Sequence, residues 1–115
     1  MQDHNCLDNV NYWAEAQLEN NAGLFPLLRV EELIYVLLKC SKILKARFVN
    51  QKMIAPNLFH EVEGFLKLHI DQIISRGLLN VNSAEELLTK LILPNLSING
   101  EKYYDIRSRY IRGYT

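Results

Sequence analysis

The sequence predicts an all-α, single-domain bundle of four to five helices built around a long central helix over residues 27–49. Three observations carry that expectation. The stretch LLRVEELIYVLLKCSKILKARFV has helical character without interruption. At 100° per residue, its Val30, Leu33, Ile34, Val36, Leu37, Cys40, Ile43, Leu44 and Phe48 fill about half of a helical wheel. Shorter segments on either side carry single apolar stripes that need a surface to pack on.

Composition sets the bounds. A chain of 115 residues makes one domain of ordinary size. It buries roughly 65% of its unfolded surface on folding, enough for a core without disulfide staples. Hydrophobic residues at 49% and charged residues at 23% match globular proteins, which argues against disorder. Thirteen basic and thirteen acidic side chains cancel, so no whole-molecule field attracts nucleic acid or anionic lipid. No apolar run approaches the ~20 residues of a membrane span. The start has neither a basic segment nor an apolar run, so no export signal and a cytoplasmic location are expected.

The elements follow in order. Residues 1–6 are expected to fray, with Asp8 capping a first helix on which Leu7, Val10, Trp13, Ala14 and Leu18 face inward. Asn20, Asn21 and Gly23 supply its stop. Pro26 suits the first turn of the central helix. Glu31 and Glu32 near its start, with Lys39, Lys42, Lys45 and Arg47 toward its end, suit the helix dipole. Residues 50–55 read as a connection. A third helix starts at Pro56 or Asn57 and runs to Arg76, with Gly77 in the left-handed position and Leu78 reaching back to Ile73. Its inward face holds Leu58, Phe59, Val62, Phe65, Leu66, Ile70, Ile73 and Ile74, with His69 among them. Ser83 to Glu86 is a capping box for a fourth helix, residues 84–93, that Pro94 ends.

The tail carries two signals. Asn99-Gly100 between Leu96, Ile98 and Tyr103 is a hairpin turn signal, giving a possible short β-hairpin near residues 96–104. Tyr103, Ile106, Tyr110 and Ile111 also fit a helix over 101–112. The helix is favoured, because Asp105 and Arg109 can pair one turn apart.

No motif for catalysis, metal or cofactor emerges. His4, His60, His69, Cys6 and Cys40 form none of the spacings that hold zinc, and no Gly-rich elbow surrounds a Ser. A helix-turn-helix reading of helices three and four fails, since the second would carry two Glu, one Lys and a broad apolar stripe. What remains is charge in patches. Residues 1–22 hold four acidic side chains and no Lys or Arg, while residues 23–56 hold six basic against two acidic. Such segregation suits steered contact with another protein.

The expected function is therefore non-catalytic protein binding, most simply by an inhibitor of the immunity or antitoxin kind that blocks a toxin or secreted effector. The expected contact surface is the acidic face of helix one (Asp8, Tyr12, Glu15, Glu19). Two alternatives are the polar face of helix three (Gly64, Asp71) and the tail (Tyr104, Arg109, Tyr110). Other readings are a secretion chaperone or regulatory adaptor exposing an apolar groove, and a nucleic-acid-binding regulator using the Arg/Tyr tail. Cofactors, metals and catalytic residues are expected to be absent.

Overall fold

The computed structural model describes residues 2–48 and 55–113, and the side chains of 9–48 and 55–111. The described residues form five α-helices and one two-stranded antiparallel sheet. In order these are α1 (Gln2–Asn20), α2 (Val30–Phe48), α3 (Pro56–Ser75), α4 (Ala84–Leu87), β1 (Ser97–Ile98), β2 (Glu101–Lys102) and α5 (Tyr103–Gly113). A π-helical turn, Leu88–Ile92, and a 3-10 turn, Leu93–Asn95, join α4 to β1.

The central position of α2 follows from its wide stripe. It packs on α1, α3, β1 and the π-helical turn. Leu33, Val36, Cys40 and Leu44 are sealed completely, while Lys39, Lys42 and Lys45 face solvent. The buried side chains form one cluster to which every α-helix contributes. Val49 and the connection 50–54 lie outside the described residues.

Several boundaries differ from expectation. The first helix starts at Gln2, so Asp8 is an interior helical residue and not its cap. Its end is made by Asn21, whose side-chain Nδ2 donates to the Gln17 carbonyl at 2.8 Å. The second helix starts at Val30, three residues late. Pro26 sits in a preceding turn, where the Leu28 N–H donates to the Phe25 carbonyl at 3.3 Å and buries both side chains. Phe65 turns out of the α3 core face and remains 41% exposed, with the Arg47 guanidinium 4.9 Å from its ring centre.

The third helix closes as its sequence dictates. Gly77 has φ +73°, the Gly77 N–H donates to Ile74 at 2.9 Å, and the Leu78 N–H to Ile73 at 3.1 Å. The Ser83 hydroxyl then accepts the Glu86 N–H at 3.3 Å and starts α4. The predicted fourth helix keeps its inward Ala84, Leu87, Leu88, Leu91 and Ile92 but changes winding. After one α-turn it widens, so that the Leu93 N–H reaches Leu88 five residues back, and then tightens through Pro94.

Both tail signals are realised, in series. Asn99 at φ 51° and Gly100 at φ 85° make the turn of a two-residue hairpin, with Ser97 opposite Lys102 and Ile98 opposite Glu101. The chain then goes straight into α5. A hairpin this short is marginal alone; here buried Leu96 and Tyr103 flank it and tie it to the core.

Candidate functional site

The acidic face of α1 is uncovered. Trp13 and Ala14 turn toward the core, and the Trp13 Nε1–H donates to Asn95 Oδ1 at 2.9 Å. Asn95 in turn donates through Nδ2 to the Leu91 carbonyl at 2.7 Å, fixing α1 on the π-helical turn. That leaves Tyr12, Glu15 and Glu19 outward, three and four residues apart on one helical stripe. Tyr12 is 77% exposed. Among the described residues, none of the three takes part in an ion pair or a side-chain hydrogen bond. Asp8 continues the stripe by register; its side chain lies outside the described residues.

The polar face of α3 is less distinctive. Asp71 pairs with Lys67 at 3.1 Å across one turn, an exposed pair of small worth. Gly64 is exposed, and a Cβ there would meet nothing within 4 Å.

The described part of the tail is engaged largely with its own fold. The Tyr103 ring is fully buried, and its hydroxyl donates to Glu63 Oε2 at 2.5 Å. The Arg107 Nε–H donates to the same oxygen at 2.8 Å. Burial first, and then the hydrogen bond to Glu63, hold the Tyr103 phenol well above its usual range. Burial and the Glu63 charge also raise Tyr104. Tyr104 is half-buried against Tyr103, and Tyr110 packs on Phe59 with centroids 6.3 Å apart. Arg109 pairs with Glu101, its Nη1 donating to Oε2 at 2.6 Å and Nη2 to Oε1 at 3.4 Å. The expected Asp105–Arg109 pair is thus replaced by one to a residue just before the helix, which the hairpin brings alongside. Of the tail candidates, only Arg109 is mainly exposed.

One surface has no counterpart in the sequence reading. Tyr35 and Leu38 sit outside the buried arc of α2; Leu38 is 58% exposed and Leu78, from the α3–α4 loop, is 55% exposed. Tyr35, Leu78 and Leu79 wall a shallow depression of about 460 Å³, with Glu31 and Glu32 completing its lining. Lys39 and Lys42 flank Tyr35 and Leu38 on the adjoining surface, the Lys39 ammonium 5.6 Å from the Tyr35 ring centre. The available signal was Tyr35 and Leu38 themselves, two large apolar residues off the core arc.

No group of three or more His, Cys, Asp or Glu among the described residues is placed to hold a metal ion. Burial pushes the Cys40 thiol up to about 12, so it stays protonated and apolar at neutral pH. No helix among the described residues is long and apolar enough to cross a membrane. No family model, curated protein or solved structure matches the chain.

Proposed function

We propose that this protein works in the cytoplasm by binding another protein without catalysis, as an inhibitor of the immunity or antitoxin kind. The observation that carries the proposal is the uncovered stripe of Tyr12, Glu15 and Glu19, free of internal partners among the described residues. An exposed tyrosine beside unpaired carboxylates has the chemistry of an interface anchor within a steering field. The partner would present a basic functional surface. Glu15 and Glu19 would meet its Lys and Arg side chains, Tyr12 would fill an apolar recess, and the bulk of the bundle would block access. The free Cys40 thiol is compatible with a reducing compartment.

Affinity capture of the tagged chain from its native cell tests this. The expected result is a protein partner retained by the parent chain and lost with Glu15→Lys/Glu19→Lys, which should leave stability within about 0.5 kcal/mol. Recovery of no protein partner, or of the same one with both chains, overturns the proposal.

The exposed apolar residues Tyr35, Leu38 and Leu78 favour a second reading, a secretion chaperone or adaptor. A stable homodimer in sedimentation would decide for it. The nucleic-acid reading has weaker support, because Arg107 and Arg109 are paired with Glu63 and Glu101 and Tyr103 is sealed.

A further inference from the structure

The depression beside α2 contains an unevenly used carboxylate. The helix begins at Val30, which puts Glu32 at its third position, from where it reaches back to the cap. Glu32 Oε1 accepts the Arg29 N–H at 2.9 Å and Asn80 Nδ2 at 3.3 Å, and the Arg29 Nε lies 3.8 Å from the same atom. All three contacts fall on one oxygen. Oε2 takes part in none of them, and it is not sealed from solvent, although Glu32 is only 9% exposed. That oxygen keeps access to solvent, so a charged donor brought by a ligand can reach it.

The surroundings specify that donor. Tyr35, Leu78 and Leu79 offer apolar wall, and Glu31 stands exposed beside them. A cation on an apolar stem fits: the stem lies on the leucines, a planar head faces the tyrosine ring, and its N–H groups reach the free carboxylate oxygen. The positive end of the α2 dipole and the Lys39 ammonium, 5.6 Å from the Tyr35 ring centre, oppose a cation here, and Glu31 and Glu32 attract it. Arg29 neutralises Glu32 only in part, since its Nε stands 3.8 Å from Oε1 and its side chain is 67% exposed. Guanidinium suits the site better than ammonium, being planar, forked and more weakly hydrated.

We infer that this depression takes an arginine side chain from a partner polypeptide, held between Glu32 Oε2 and the Tyr35–Leu78 wall. The inference deepens the protein-binding reading and rests on it only for the source of the arginine. It gives the partner a second basic contact apart from the one met by α1.

The test needs only the purified chain and a probe. The tripeptide acetyl-Leu-Arg-Leu-amide is titrated while the amide resonances of residues 31–35 and 78–80 are followed. The same peptide with citrulline, the neutral isostere, and benzylamine, a small lipophilic cation, run beside it. Glu32→Gln keeps an acceptor for Arg29 and Asn80 while removing the charge, and Leu78→Ser alters an exposed wall residue with no role in the core. The expected result is saturable shifts with the arginine peptide. The Kd should be roughly tenfold weaker with citrulline and in the Glu32→Gln chain, the loss of a charged hydrogen bond. Leu78→Ser should weaken it too. Shifts that do not saturate, equal binding of the citrulline peptide, tighter binding of benzylamine than of the peptide, or an unaffected Leu78→Ser chain would each overturn the inference. Should Glu32→Gln fail to fold, the citrulline and Leu78→Ser arms still decide. The capture experiment uses the α1 stripe and a cell extract, so either can fail alone.

Discussion

Tyr103→Phe isolates the bond that holds the tail on α3. The ring stays, with its packing against Phe59 at 5.9 Å and Tyr104 at 5.9 Å; only the hydroxyl that donates to Glu63 at 2.5 Å is lost. A hydrogen bond to a charged acceptor contributes about 1.5–3 kcal/mol. Glu63 keeps Arg107 and is 20% exposed, so water can meet the vacated position and the loss falls at the low end, about 1.5 kcal/mol. For a domain of this size that is about 6 °C in Tm. Urea unfolding followed by circular dichroism should give a lower midpoint with an unchanged slope. The difference should depend on pH with a definite sign. The folded Tyr103 phenol is raised above its ordinary value near 10, so its contribution is complete below pH 10. Above that the unfolded chain ionises first, and the parent loses stability relative to the Tyr103→Phe chain as pH rises. A gap under about 0.5 kcal/mol at pH 7, or one unchanged between pH 7 and 11, would refute this account of the Glu63–Tyr103–Arg107 cluster.

Further predictions concern backbone and core. Gly64→Ala should stabilise the chain by about 0.5–1 kcal/mol in urea unfolding, because the site is an exposed helix interior with open space for a Cβ. Gly77→Ala should destabilise it by about 1–2 kcal/mol, since φ is +73° there even though no atom blocks the Cβ. Cys40, with its thiol pushed up to about 12, should resist a thiol reagent at pH 8 in a Cys6→Ser background and react only as urea opens the core; labelling at the rate of a free thiol would contradict its burial. The same shift makes its contribution to stability decline as pH rises above the unfolded thiol value near 8.5.

What could be read without coordinates is local. Gly77 with Leu78, the Ser83 cap and Asn99-Gly100 each act within a few residues; the first and last form as expected, and of the Ser83–Glu86 box the bond from the Glu86 N–H to the Ser83 hydroxyl forms. The two readings of the tail competed only because both are local and their segments abut. The Asp105–Arg109 pairing failed for a related reason: helical spacing sees one turn, whereas Glu101 reaches Arg109 because β2 runs directly into α5. Pro26 fits equally well in a helix's first turn and in the tight turn it occupies, so local signals alone place the start of α2 three residues early.

The opposite limit applies to the candidate surfaces. The acidic stripe of α1 is an i, i+3, i+4 pattern, and its exposure follows from the position of Trp13 and Ala14 on the other face. The tail looked equally available, but Glu63 captures Tyr103 and Arg107 from forty and forty-four residues away. The depression next to α2 depends on Leu78 and Asn80 arriving beside Glu32 and Tyr35, a meeting of the α3–α4 loop with the start of α2.

The sequence by itself therefore determined the helical class, the central place of the helix that runs from Val30 to Phe48, the close of α3, the Asn99-Gly100 turn, and the outward stripe of Tyr12, Glu15 and Glu19 on α1. Periodicity and capping depend on neighbours along the chain, which any reader of the chain can see. Only the tertiary structure decided which charges and tyrosines are spent within the fold and which stay exposed and unpaired. That choice depends on which distant segment lies opposite, as Glu63 does for Tyr103 and Asn80 for Glu32.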